Sequence, residues 1–158
     1  LDEASLSEKS AQVGVVEKVA SEEGAQVISI CGKLEAEIAD LEEEEERAAF
    51  LEDAGLEESG LHHLIREAYG ALGLRTFFTV GEKEIRAWTF HEGATAPEAA
   101  GIIHTDFQRG FIRAETYSCE DLFELRSEQK IREAGRLRQE GKEYVVQDGD
   151  VIQFKFNV

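Results

Sequence analysis

The run Glu92-Gly-Ala-Thr-Ala-Pro-Glu-Ala-Ala-Gly-Ile-Ile-His-Thr-Asp-Phe-Gln-Arg-Gly-Phe-Ile-Arg-Ala-Glu115 packs a helix start, an apolar helix and a polar stop into one short stretch. Thr95 is a capping residue, and Pro97 falls at an early helical position where its missing N–H is harmless. Ala99, Ala100, Ile102 and Ile103 form the core face. Upstream, Thr76–Val80 and Glu84–Phe90 are strand-like, with Gly81-Glu82-Lys83 as the turn of a hairpin. Downstream, Phe111–Tyr117 reads as a third strand, Glu120–Leu125 as a short helix and Tyr144–Val146 as a fourth, short strand. Val151–Phe156 follows the turn Asp148-Gly149-Asp150, with Ile152, Phe154 and Phe156 alternating against Val151, Gln153 and Lys155.

The first half has another period. Val13, Val16, Val19 and Ala20 recur at helical spacing and stop at Gly24, which predicts an amphipathic helix from about Ser10 to Glu23. Gln26–Cys31 is a short apolar run that predicts a buried strand ended by Gly32. A further helix is expected from near Glu43 to Asp53, closed by Ala54-Gly55. Ser59 can cap a last one, from Gly60 to Leu72, whose Leu61, Leu64, Ile65, Ala68 and Leu72 share a stripe. One strand is too few for a stable sheet, so this half reads as the tail of a larger domain, with a seam at Gly73-Leu74-Arg75.

Charge divides the chain at the same place. The net charge is −17, yet residues 1–74 carry 19 acids against 5 bases, while residues 75–158 carry 15 against 12. No apolar run approaches the roughly 18 residues that cross a bilayer, and no signal-peptide pattern opens the sequence, which leads to a cytoplasmic expectation. Cys31 and Cys119 are far apart, with no second thiol near either, so no disulfide framework or paired-cysteine zinc site is indicated.

The stretch from Glu92 to Glu115, together with Asp148–Phe156, resembles the C-terminal TGS domain of the YchF (Obg-like) ATPases, a ubiquitin-like β-grasp module. The resemblance implies an α+β chain: a β-grasp TGS domain over 75–158, preceded over 1–74 by a mostly helical remnant of an α/β P-loop G domain. In that family the guanine-specifying Asn-Lys-x-Asp is replaced by Asn-x-x-Glu. Leu1-Asp2-Glu3 stands where x-x-Glu would be, so the chain is expected to begin one residue after the motif's Asn. By this resemblance Glu3 disfavours guanine and Leu1 gives a backbone contact to the adenine amine. A carboxylate shifted by one methylene spoils the bidentate pairing that Asp makes with guanine. Cys31, Gly32 and Lys33 fall where such domains place their last nucleotide-contacting loop, commonly Ser-Ala-Lys, so backbone contacts are expected there without the serine hydroxyl.

No Gly-x-x-x-x-Gly-Lys-[Ser/Thr] phosphate loop occurs in the chain. Hydrolysis of ATP, or less well of GTP, with Mg²⁺ is therefore expected of the complete protein. The fragment alone is expected to be inactive and to hold no nucleotide tightly. His104 and Asp106 could pair as acid and base but have no nucleophile nearby in sequence, and the expectation is that they bond the backbone at the helix end. His62-His63 lacks a spaced set of metal-ligating partners.

Between Gln129 and Lys142 the bases Lys130, Arg132, Arg136, Arg138 and Lys142 cluster around an apolar stripe of Ile131, Ala134 and Leu137. A helix with one basic side is expected there, suited to RNA phosphates, and the TGS resemblance implies ribosome or RNA contact. Protein partners through the TGS domain are also implied; a membrane or a sequence-specific DNA site is not. The alternative reading is a non-catalytic β-grasp adaptor that binds protein or RNA.

Overall fold

The computed structural model describes residues 1, 10–81 and 84–157, and Glu3 therefore lies outside the described residues. The chain forms two compact units, Leu1–Tyr69 and Gly70–Val158.

In the first unit, α1 (Ala11–Glu23) begins at Ser10, whose side chain accepts from the Val13 N–H, and ends at Gly24 in the left-handed region that glycine tolerates. Val13 and Ala20 are buried, whereas Val15, Val16 and Val19 are exposed. The expected strand at Gln26–Cys31 does not form: the segment has no ladder partner among the described residues. Its composition suits a strand, but a strand exists only by pairing. Gly32 does not end an element but opens one, α2 (Gly32–Asp40), which the sequence reading passed over. α3 (Glu44–Asp53) starts on three glutamates, a favourable sign of charge at a helix N-terminus. In α4 (Gly60–Ala71) the stripe of Leu61, Leu64 and Ile65 is exposed.

The second unit is built on a five-stranded sheet in the order β2-β1-β5-β3-β4. Strands β1 (Leu74–Val80) and β2 (Ile85–His91) form the antiparallel hairpin, pairing Phe77 with Trp88 and Phe78 with Ala87. Thr95 and Glu98 close a capping box on α5 (Ala96–Ile103), and the bonds from Thr95 to the Glu98 carboxylate hold its pKa below the usual range. A five-residue turn of helix, α6 (Thr105–Arg109), then leads into β3 (Phe111–Ser118). Ser118 caps α7 (Cys119–Leu125) through a second capping box with Asp121, and Ser127 caps α8 (Glu128–Glu133). Strand β4 (Arg138–Glu140) pairs with β3, and β5 (Asp150–Phe156) lies between β3 and β1, antiparallel to the first and parallel to the second. This topology is the β-grasp, and the chain as a whole is α+β.

Three expectations fail in the second unit. Tyr144–Val146 makes one isolated bridge, between Val145 and Thr95, so the short fourth strand is Arg138–Glu140 instead. The basic helix expected over 129–142 stops at Glu133, because Gly135 takes a left-handed φ of 72° and the Arg136 N–H turns back to the Ile131 carbonyl. The strand β5 also departs from simple alternation: Val151 and Ile152 are both buried, since the sheet is covered on both faces. One face carries Phe77, Phe90, Phe154, Ala99 and Ala100; the other carries Tyr117, Ile131 and Val151 under Leu122 and Leu137. Between β4 and β5 the fully buried Thr116 keeps a hydroxyl without a hydrogen-bond partner.

Candidate nucleotide loop and ribosome-contact residues

Four residues of the expected nucleotide site can be placed. The Leu1 backbone nitrogen donates to the Ile30 carbonyl at 3.0 Å, which sets Leu1 beside the segment that ends in Cys31-Gly32-Lys33. Leu1, Val13, Val16, Val27 and Ile30 line a shallow cavity of about 360 Å³. Cys31 occupies the N-cap position of α2 with its thiol buried and not used as a cap. Gly32 and Lys33 are the first two residues of the helix, where backbone N–H groups have no intrahelical acceptor and the helix dipole favours electron-rich ligands. The Lys33 ammonium lies 3.6 Å from Glu37.

Behind this loop stands a residue that the sequence reading missed. The Glu35 carboxylate accepts from the backbone N–H groups of Gly60 and Leu61 at 2.7 and 3.1 Å. Ser59 Oγ accepts from His62 N–H, and the next N–H, of His63, returns to the Ser59 carbonyl. The first-turn donors of α4 are thus all satisfied, two of them by a side chain from another helix. A Cβ at Gly60 would stand 2.8 Å from Glu35 Oε1 and 3.3 Å from both Ile30 γ-carbons, so the contact needs glycine there. A pairing across 25 residues leaves no local signal; Ser59-Gly60 marked the helix start but not its partner.

The five bases expected to meet RNA do not share a helix. Lys130 and Arg132 lie on α8, Arg138 on β4, and Arg136 and Lys142 in the adjoining segments. Three are engaged within the fold. Arg132 pairs with Glu128 at 3.1 Å. Arg136 bonds Glu124 at 2.5 Å and Asp121 at 2.9 Å, and its bond to Asp121 is the main reason that the Asp121 carboxyl is held below its ordinary pKa. Arg138 reaches Asp150 and the Tyr144 hydroxyl, both at 3.2 Å, with its guanidinium 5.4 Å over the Tyr144 ring. Lys130 and Lys142 are exposed and make no ion pair among the described residues.

His104 ends α5 and caps α6, its Nδ1 accepting from the Asp106 N–H at 3.1 Å while Asp106 binds Arg109 at 2.9 Å. His104 serves the backbone between two helices, as expected, whereas the Asp106 carboxylate bonds a side chain and not the backbone. His63 sits 3.7 Å from Glu67, and no group of three or more His, Cys, Asp or Glu among the described residues could hold a metal ion. No described helix is long and apolar enough to cross a membrane.

Comparison with known proteins bears on both units. Residues 74–157 match the YchF-GTPase_C family, described as a protein of unknown function (DUF933). The chain is 58% identical over 146 residues to the ribosome-binding ATPase YchF of Bacillus subtilis, covering 92% of this chain and 40% of that protein. It is 53% identical over 143 residues to the protein of the same name from Haemophilus influenzae, covering 90% of this chain and 39% of the relative. The chain thus spans about 40% of the length of these relatives. In three dimensions it matches the Schizosaccharomyces pombe YchF GTPase with a TM-score of 0.83 and 34% identity, over 98% of this chain and 41% of that one. A GTP binding protein from Pyrococcus horikoshii, at 16% identity and a TM-score of 0.61, covers 94% of this chain and 43% of its own, and shares the fold. By its family match over residues 74–157 and its likeness to relatives over about nine-tenths of its length, this chain belongs to the YchF family.

Proposed function

We propose that the chain forms the C-terminal part of a cytoplasmic, ribosome-associated nucleotide hydrolase that prefers ATP to GTP, with residues 1–74 completing a G domain and 75–158 forming a TGS module. The observation that supports the nucleotide reading is the bond from Leu1 N–H to the Ile30 carbonyl, because it sets Leu1 beside the segment that leads into α2. Leu1 and Cys31-Gly32-Lys33, each likened to part of a base-contacting motif, are close in space, which supports this reading. In this reading Leu1 and the backbone at Cys31, Gly32 and Lys33 frame the base, and Glu3 rejects guanine by misplacing its carboxylate. Phosphate binding and Mg²⁺ belong to a part of the protein beyond this chain, which has no phosphate loop. The exposed valines of α1 support the view that the first unit is part of a larger domain.

The ribosome reading draws on the names of the B. subtilis and H. influenzae relatives. Of the five bases, Lys130 and Lys142 are the better candidates for phosphate contact, because the three arginines are held by carboxylates of this chain. The nucleotide reading is tested by titration calorimetry on the full-length protein. ATP should bind more tightly than GTP, and Glu3→Asp should narrow the gap; tighter GTP binding by the unmodified protein defeats the assignment.

A further inference from the structure

We propose that Glu35 is a positioning residue of the base-selecting loop: its carboxylate pins Ile30–Lys33 against the first turn of α4, so that α4 serves as the fixed wall behind the base. This rests on the nucleotide reading given above, and it adds a residue that touches no ligand.

The geometry restrains the loop from two sides. On one, the Ile30 carbonyl holds the Leu1 backbone at 3.0 Å. On the other, the Ile30 side chain lies against Gly60, close enough that a Cβ there would reach both its γ-carbons at 3.3 Å. Glu35 closes the arrangement one turn further on, its two oxygens taking the Gly60 and Leu61 N–H groups. Glu35 N–H in turn donates to the Cys31 carbonyl at 3.1 Å, the first helical bond of α2. The residue that closes the loop into a helix is therefore the residue that ties that helix to α4.

A helix start does not need such a distant cap. Glu57 and Glu58 lie just before the Ser59 that leads into α4, yet Glu58 is turned to Arg66 at 2.7 Å, and the first two N-terminal donors are left to a carboxylate from α2. A charged acceptor at a helix N-terminus also gains from the helix dipole, which makes the tie stronger than a neutral one. A carboxylate in this place fixes both the rotation of α2 about its axis and the height of the loop above α4. The backbone groups of Cys31, Gly32 and Lys33 are the ones whose direction depends on those two quantities.

The test uses the full-length protein with ATP, measuring Kd by titration, steady-state kcat and KM, and thermal midpoint, for Glu35→Ala, Glu35→Gln and Ser59→Ala. Ser59→Ala removes the other cap of α4 without touching the loop. Glu35→Ala should raise Kd and KM about tenfold, the scale of one lost hydrogen bond to a charged group, with kcat at saturation within about twofold. Glu35→Gln, which keeps one acceptor oxygen, should fall between, and Ser59→Ala should lower the thermal midpoint while leaving Kd at the parent value. An unchanged Kd in Glu35→Ala, or a Kd that rises equally in Ser59→Ala, overturns the positioning role. Hydrogen exchange of residues 29–33 with and without ATP separates this failure from that of the nucleotide reading. ATP protection there with an unchanged Glu35→Ala affinity defeats positioning alone, whereas no protection in the parent protein defeats both.

Discussion

Replacing Asp150 by Asn tests whether the arginine expected to meet RNA instead holds the sheet together. Asp150 is 2% exposed and accepts from Tyr144 O–H at 2.6 Å, Gln147 N–H at 2.9 Å and Arg138 at 3.2 Å. The Arg138 side chain is 44% exposed, so solvent screens its share to about 0–1 kcal/mol. The other two bonds contribute about 1–1.5 kcal/mol each. An amide oxygen in the place of Oδ2 keeps the Tyr144 and Gln147 bonds at about half their strength without the charge and turns an NH2 towards Arg138, which leaves a net loss of about 2 kcal/mol. With a denaturant slope of about 1 kcal/mol/M for a unit of this size, the urea midpoint should fall by about 2 M. Trp88, the single tryptophan, reports this unit alone: it stacks 6.5 Å from Phe77 and donates to Thr79 Oγ1. The same variant should be visible at Tyr144, whose hydroxyl is pushed up to about 12, first by burial and then by its bond to Asp150. A pKa raised in the folded state stabilises fully below the ordinary value of 10.0, and that contribution is lost as pH rises through 12. In Asp150→Asn the ultraviolet titration should move back part of the way, because burial remains. A urea midpoint within about 0.3 M of the parent would refute the reasoning, since it would mean that the buried carboxylate contributes less than a single hydrogen bond.

Thr116→Val should be neutral or should stabilise the second unit by up to about 1 kcal/mol, because it replaces a buried hydroxyl that has no partner by a methyl of the same shape. A loss above about 1 kcal/mol in urea denaturation would show that the hydroxyl is bonded after all. Lys130→Glu and Lys142→Glu should each weaken ribosome co-sedimentation and reduce its salt slope by about one unit, with the fold unaffected, since neither ammonium is ion-paired among the described residues. Unchanged sedimentation in both would remove this surface from the ribosome reading.

The β-grasp was legible because its signals are local. The Thr95-Ala-Pro-Glu98 start, the apolar run of β5 after its Asp148-Gly149 turn and the glycine-linked strands each announce themselves within a few residues. What was illegible depended on partners. Gln26–Cys31 has strand composition but no neighbour to pair with among the described residues, and Tyr144–Val146 lost its ladder to Arg138–Glu140, which is too polar and too short to show any period. The basic helix was a miscount of breakers: Gly135 and Gly141 outweigh the stripe of Ile131, Ala134 and Leu137. In the candidate site, Cys31-Gly32-Lys33 could be found by position after an apolar run, although the element that Gly32 begins was misread. Glu35 could not be found, since nothing in a sequence ties a glutamate to amides 25 residues away.

The strand that comes last in this sheet sits at its centre. Until Asp150–Phe156 is available, β2-β1 and β3-β4 are two separate ribbons, each too small to be stable alone, and the aromatic faces of Phe77 and Phe90 are uncovered. During synthesis from the N-terminus, the hairpin, the capped helix α5 and β3 must all wait for one segment before any of them is secure. Folding of the second unit is therefore gated by the delivery of β5, and a nascent chain halted anywhere between Val80 and Gly149 presents an unpaired edge of β1 to whatever lies nearby.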